Sequence, residues 1–406
     1  MEAKDEIQNT NKGSQKSLVI KRKYVILALS LSFLVNFDSN AAIPVIATYA
    51  EKLGASIIMI GFIVGVYSMV HIPSNIIFGR LVDRIGRKTL ISIGVMIDGL
   101  SMFLYSIAQD PMFLLFGRII HGIGGGFGGP ATMAYISDAT SQRHSGRGMA
   151  LYGISIGFSN LIGFLLGGLV AQLIGENILF FIIAIVLFVM AFSSYYLPSL
   201  YQPSKEKLSL KEEFIIFKQT VLRKSMIGPY SSILAMMFNM GIVTAVYTLM
   251  LEHATYSVGQ TGMILSIMVI FSIIIHYPAG ILSDRLGHMK VMLIGLLLIA
   301  GAFGIFMISF GVPIPMIGMI FLGLGHGLIF PSSAGYIKEK TKDSESGIAT
   351  GTFYALIVAG VAIGAPISGH VYNIASAQMT LMLGIIIPLL VAVIFIPLIR
   401  FNKKIQ

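Results

Sequence analysis

Gly79-Arg80-Leu81-Val82-Asp83-Arg84-Ile85-Gly86-Arg87-Lys88 returns 201 positions later as Gly280-Ile281-Leu282-Ser283-Asp284-Arg285-Leu286-Gly287-His288-Met289-Lys290. The same shift carries Phe37 onto Phe238, Gly61 onto Gly262, Pro130 onto Pro331 and Tyr135 onto Tyr336. It also carries Ser145-Gly146 onto Ser346-Gly347, and Gly163 and Gly168 onto Gly364 and Gly369. A register held across nearly half of 406 residues means two homologous halves, neither able to stand for the whole. Each copy lies between long apolar runs, so the repeating unit is a membrane bundle. Doubled halves in a membrane point to alternating access, with a substrate site at the seam.

Composition agrees. The chain is 55% hydrophobic and 11% charged, with mean hydropathy +0.85, too apolar for a soluble domain. About 20 apolar helical residues cross the hydrocarbon core. Twelve stretches qualify: 24–48, 56–78, 89–108, 111–134, 147–171, 177–197, 226–250, 258–281, 290–310, 313–336, 346–370 and 376–400. They are too long for barrel strands and lack alternation. The expected fold is an all-α polytopic membrane protein of twelve transmembrane helices in two six-helix bundles. Its parts are a tail 1–23, a bundle 24–197, a linker 198–224, a bundle 225–400 and a tail 401–406. Within the linker, Phe214, Ile215, Phe217 and Val221 stand amid charges, as in a helix lying on a membrane surface or a solvated tether.

The net charge of +10 is distributed against nucleic-acid binding. With the N-terminal tail set in the cytoplasm, all lysines and arginines except Lys52 and Arg118 fall on the cytoplasmic side. The positive-inside rule therefore puts both termini there, in a cell membrane. The first 20 residues are polar with no apolar run before a cleavage site, so no signal peptide is expected. The absence of cysteine removes disulfides, thiolate metal sites and cysteine nucleophiles.

Ionisable residues within spans are costly and mark function. Asp38 falls in the first helix, Asp98 in the third, and Arg118 and His121 in the fourth. Paired, Asp38 and Arg118 would offset each other's desolvation, either exchanging protons, binding charged substrate or holding helices statically. His121, His276, His326 and His370 could relay protons or simply pack. Asn239 takes the place of Asp38 in the second half.

The pattern G-x-x-x-D-R-x-G-R-[RK] is met by Gly79, Asp83, Arg84, Gly86, Arg87 and Lys88. Arg118 is followed by Gly122, Gly124 and Gly125. With twelve helices in two halves, these motifs make the whole chain resemble the major facilitator superfamily. Ile43-Pro44-Val45-Ile46-Ala47-Thr48-Tyr49 is similar to the end of helix 1 in its drug:proton antiporter branches, with Ala47 replacing a second proline. The fifth-helix run Gly163-Phe164-Leu165-Leu166-Gly167-Gly168 keeps that branch's glycines but has Phe164 where its proline belongs; helix 11 carries Pro366 instead. Leu197-Pro198-Ser199-Leu200 does not match the sugar-porter signature.

The resemblance implies that helices 1, 4, 7 and 10 line a central cavity faced by Asp38, Arg118, Asn239 and His326. It makes helix 3 peripheral, with Asp98 structural or half-exposed. It implies that Asp83 locks the halves together in one state, beside glycines that allow a tight turn and cations that anchor to the inner leaflet. The copy at Asp284 and Arg285 is weaker, having His288 and Met289 for the Arg-Lys pair.

Gly124–Gly129 formally contains a dinucleotide fingerprint but lacks its strand; it reads as helix packing. Gly153, Gly157, Gly163, Gly167, Gly168, Gly364 and Gly369 are expected to pack at the moving seam. Gly86-Arg87-Lys88-Thr89 is no phosphate loop, so transport must run on gradients and no cofactor is implied. A lipid-modifying enzyme would need clustered nucleophiles or metal ligands. The expectation is a monomeric, lipid-embedded, proton-coupled transporter of a small organic solute, exporting amphipathic compounds or importing a sugar, organic acid or other polar metabolite. Met236, Met237, Phe238 and Met240 would suit adaptable apolar binding, or are ordinary membrane composition.

Overall fold

A computed structural model of the protein describes residues 22–139, 145–199, 215, 218–220 and 223–402. The tails and most of the linker lie outside the described residues; of its expected surface helix, Ile215 and residues 218–220 are described and are helical. Twelve long helical rods make up the described chain. The first bundle has α1 (Arg22–Ala42 continued by Ile46–Lys52), α2 (Ile57–Ile85), α3 (Arg87–Ser106), α4 (Pro111–Ala139), α5 (Ser145–Ile174) and α6 (Glu176–Ser194). The second has α7 (Lys224–Ile242, the π-helical Val243–Tyr247 and Thr248–His253), α8 (Val258–Leu286), α9 (His288–Phe306), α10 (Ile314–Lys340), α11 (Asp343–Ile374) and α12 (Ala377–Asn402).

Eleven rods are long and apolar enough to cross a membrane. The other, α4, has its apolar run diluted by Arg118, His121 and a string of glycines. The 29 residues of α2 rise through about 43 Å, more than the hydrocarbon thickness. Its basic end therefore reaches the interface while its middle stays in lipid.

The 201-residue offset is a relation in space. Val258–Leu286 is the counterpart of Ile57–Ile85, end to end. Single glycines at positive φ, Gly86 (+95°) and Gly287 (+87°), turn α2 into α3 and α8 into α9. Pro44 withholds an amide and breaks α1 at Ile43–Val45; 201 residues on, the π-helical segment distorts α7 at the same level. Within each bundle the matching pairs pack: α1 on α5 and α7 on α11, α4 on α2 and α3, α10 on α8 and α9.

The halves meet along α2–α11 and α5–α8. A Cβ on Gly61 would lie 2.7 Å from the Ala365 carbonyl oxygen, and one on Gly369 the same distance from that of Ile57. The related crossing sets Gly168 against the Val258 carbonyl (2.6 Å) and Gly262 against that of Phe164. Both crossings lie on the side away from the termini, where Glu51 meets His253 (3.1 Å) and Gln172 meets Ser257 (2.9 Å) across the halves. Nearer the termini, Gly153, Gly280 and Gly351 have no atom of another helix within 4 Å of a would-be Cβ among the described residues.

This corrects part of the expected seam. Gly168 and Gly369 form it, and Gly157 reaches α8 only through Ile273 at 3.6 Å. Gly163 and Gly167 instead pack on α1 at Asn40 and Ala41, and Gly364 packs on α7 at Phe238, each inside its own bundle.

Candidate functional site

Asp38, Asp98 and His121 come from three rods, and all are fully buried inside the first bundle. Small residues make the room. Gly124 on α4 faces Asp98 directly, and any side chain there would collide with the carboxyl. One ligand-capable atom from each of the three lies within 4.8 Å of the others. His121 Nε2 is 3.4 Å from Asp38 Oδ2 and 3.1 Å from Ser39 Oγ; its Nδ1 is 2.9 Å from Tyr105 Oη. The Ser39 amide donates to Asp38 Oδ1 at 2.5 Å. Asp38 Oδ2 and both oxygens of Asp98 have no hydrogen-bond partner among the described residues.

Arg118 does not pair with Asp38, against the sequence expectation. Its Nε donates to the Ile63 carbonyl (3.0 Å) and its NH2 group to that of Val64 (3.1 Å), spare acceptors on α2. The guanidinium lies 4.8 Å from the Tyr67 ring centre, a cation–π contact, and NH1 reaches Tyr105 Oη at 3.5 Å. Tyr105 Oη can accept both from Arg118 and from a hydrogen on His121 Nδ1, an arrangement that leaves Nε2 unprotonated beside Asp38. An imidazole nitrogen 3.4 Å from a buried carboxyl can exchange a hydrogen with it, so the trio can serve as a proton site.

The arrangement also corrects the position of Asp98, which is neither peripheral nor half-exposed. Asp38 and Arg118 are enclosed by the bundle, Asp38 fully and Arg118 with 6% exposed. Asn239 is likewise fully buried, its amide donating to the Ala235 carbonyl at 3.0 Å and its Oδ1 without a partner among the described residues. His326 is buried with Nε2 unpartnered among them, and His276 Nδ1 contacts the Ser272 carbonyl. His370 lies in a groove of about 260 Å³ with Ile58, Phe62 and Pro366 on the α2–α11 seam. Met236, Phe238 and Met240 are buried, while Met237 is half-buried.

The gate motif is described only in part. The backbone of Gly79, Asp83 and Arg84 continues α2, but their side chains lie outside the described residues. Gly86 makes the turn, Lys88 Nζ sits 4.4 Å from the Tyr195 ring centre, and Asp284 and Arg285 are exposed. Sequence reasoning missed Ser39, Tyr67, His71 and Tyr105. Tyr67 and His71, four apart on one helical face and bonded at 3.1 Å, were the available signal.

Comparisons with known proteins follow the same doubling. The family model of the Major Facilitator Superfamily matches residues 28–230 and again 229–406. The chain is 24% identical over 345 residues to an MFS-type transporter of Methanocaldococcus jannaschii, covering 82% of this chain and 86% of that one. It is 24% identical over 301 residues to multidrug resistance protein 2 of Bacillus subtilis, covering 71% and 73%. Among solved structures, a bacterial homolog of the human lysosomal transporter Spinster, inward-facing and unoccupied, superposes with a TM-score of 0.77 at 15% identity, covering 94% and 97%. The nucleoside transporter NupG gives a TM-score of 0.75 at 17% identity, covering 94% and 99%. These structures share the fold. Matched over both repeats by the family model, and built as two six-helix bundles, the chain belongs to the Major Facilitator Superfamily of membrane transporters.

Proposed function

We propose that this transporter moves a small organic solute by alternating access and drives it with protons held at Asp38 and Asp98. The observation that carries the reading is charge balance in a dry site. Arg118 supplies one fixed positive charge in the same enclosure, which offsets one carboxylate without a direct ion pair. A second carboxylate in the same enclosure would be uncompensated, and such groups take up a proton instead. Asp98, with no donor on either oxygen among the described residues, has the surroundings of a carboxyl carrying its own hydrogen. The site therefore has capacity for one exchangeable proton.

The seam supports the rocking part of the reading. At its closest points, Gly61, Gly168, Gly262 and Gly369 meet carbonyls of the other bundle with no side chain interlocked, a contact that can part and re-form. With the termini in the cytoplasm of a cell holding the protein in its plasma or inner membrane, as the basic loops favour, the described state is closed outward. We assign the gate role to Gly79, Asp83, Arg84, Arg87 and Lys88. Likeness to a multidrug resistance protein favours export of amphipathic compounds over uptake of a polar metabolite, and Asn239 and His326 are our substrate-facing candidates in the second bundle.

Purified protein in proteoliposomes, screened against lipophilic cations and polar metabolites with and without an imposed pH gradient, tests this. We expect gradient-dependent accumulation of at least one amphipathic cation. Accumulation indifferent to the gradient across the panel would refute proton coupling.

A further inference from the structure

The buried carboxyls are sealed from solvent, so a proton needs a way out. Beginning at His121, a chain of side chains crosses from α4 to α1 to α2. His121 Nε2 lies 3.1 Å from Ser39 Oγ, Ser39 Oγ donates to Tyr67 Oη at 3.2 Å, and Tyr67 Oη lies 3.1 Å from His71 Nδ1. Every link is within hydrogen-bond reach. Asp38 and Asp98 at one end are fully buried, whereas His71 at the other is partly exposed. His71 stands one turn beyond Tyr67 toward the terminus-bearing side. Gly125 on α4 leaves the space for it, since a Cβ there would lie 2.9 Å from Tyr67 Oη and 3.0 Å from the His71 ring.

The polarity of the chain is consistent from end to end. With His121 Nδ1 bonded to Tyr105, Nε2 is placed to take the hydrogen of a protonated Asp38 and to pass it to Ser39. Ser39 donates to Tyr67, which leaves the Tyr67 hydrogen for His71 Nδ1. All donors face the same way, from the carboxyls toward His71.

We propose that Ser39, Tyr67 and His71 form the release path for the coupling proton, with His71 as its exit group. This rests on the carboxyl pair being the proton site. In one release the proton shared by the pair leaves from Asp38: its O–H bond breaks as an N–H forms at the unprotonated Nε2 of His121, and the resulting imidazolium gives that hydrogen to Ser39 Oγ. The serine hydrogen passes to Tyr67 Oη, and the tyrosine hydrogen to His71 Nδ1. Asp38 is left as a carboxylate and His71 as an imidazolium, which gives its Nε2 hydrogen to water. The charged groups facing the path are Arg118, stacked on Tyr67, and the two aspartates; His71 itself faces Tyr67, the Gly125 backbone and Asn75, one turn further along α2. In the second bundle the path does not recur. Met240 replaces Ser39, Met268 replaces Tyr67 and Ser272 replaces His71.

The test needs no substrate. Full-length protein in lipid nanodiscs is given an upward pH jump, and loss of the carboxylic-acid carbonyl band is followed by infrared spectroscopy. In His71→Ala and in Tyr67→Phe we expect the full amplitude with release slowed about a hundredfold, the scale of a lost proton-transfer group. Added imidazole should restore the rate in His71→Ala but not in Tyr67→Phe, a split that a packing role would not produce. Tyr67→Phe keeps the ring on Arg118, so it carries the test if His71→Ala does not fold. Wild-type rates in both variants overturn the release path alone. Absence in wild-type protein of any band that Asp98→Ile removes overturns the proton site beneath it.

Discussion

Beneath Gly124 the first bundle holds the carboxyl of Asp98; beneath Gly325, 201 residues on, the second bundle holds Ile299, its side chain 2.6 Å from a would-be Cβ. The same substitution of character runs through the site. Arg118, His121 and Tyr105 correspond to Met319, Leu322 and Phe306, all three of them fully buried. Gly117 packs under Tyr105 at 2.9 Å, and Gly318 packs against Phe306 in the same manner. Among the counterparts of the carboxyls and of Arg118, His121 and Tyr105, only Asn239, opposite Asp38, stays polar. One scaffold thus supports two interiors at these positions, one with two buried carboxyls and one whose counterparts carry none. The second bundle folds without such a cluster, which supports the proposal that the cluster serves function.

Exchanging these interiors should give the largest effects. Asp98→Ile makes the first bundle resemble the second. Removing a buried carboxyl for an apolar group of similar size is expected to leave stability unchanged or raise it by about 1–4 kcal/mol. Proton-driven accumulation should vanish, measured by thermal unfolding and proteoliposome transport on one preparation. The reverse change, Ile299→Asp, buries a carboxyl with no arginine nearby and should cost about 3 kcal/mol or more. Equal stability losses for the two variants would break the comparison.

The seam is where the halves are alike, and there variants should behave alike. Gly168→Val and Gly369→Val each press a side chain onto a carbonyl of the other bundle. Overpacking of this kind costs about 1–3 kcal/mol, which moves a two-state balance roughly 5- to 150-fold. Spin-label distances across the side away from the termini should lengthen in both. Lengthening in one alone would mean that the crossings are not equivalent.

A smaller difference lies in the turns. Gly54 adopts φ +92°, and its counterpart Thr255 adopts +76°. A residue with a Cβ there carries about 1–2 kcal/mol of strain. Thr255→Gly should stabilise the protein by about that amount and Gly54→Thr should destabilise it, read as shifts in unfolding temperature.

The smallest effect is at the surface, where Arg223 donates to Glu345 at 2.8 Å. The guanidinium holds the Glu345 carboxyl below its usual range, and Arg223 is correspondingly raised. A depressed carboxylate contributes stability above its unfolded pKa and loses it as pH falls through the folded value. Glu345→Gln should therefore be slightly less stable than wild type at neutral pH and equal to it in acid, by thermal unfolding at both.

The doubling, the helix count and the candidate residues Asp38, Arg118 and His121 were legible in the sequence, because periodicity and buried charge leave one-dimensional marks. The pairing was not. Arg118 reaches carbonyls of Ile63 and Val64, and backbone acceptors carry no sequence signal. Asp98 looked peripheral because its enclosure depends on Gly124, whose missing side chain has meaning only once α3 and α4 are in contact. The seam glycines divided for the same reason: spacing says that a glycine permits close approach, not which helix approaches.

The central claim is that the first bundle carries the proton while the second does not. Its most direct test is the transport–pH profile and substrate affinity of Asp38→Asn and Asn239→Ala, measured side by side in proteoliposomes with the compound that the screen identifies. We expect Asp38→Asn to lose gradient-driven accumulation while still binding or exchanging substrate downhill. Asn239→Ala should bind more weakly with an unchanged pH profile. Full gradient-driven transport by Asp38→Asn, or a shifted pH profile with wild-type affinity in Asn239→Ala, would contradict the account.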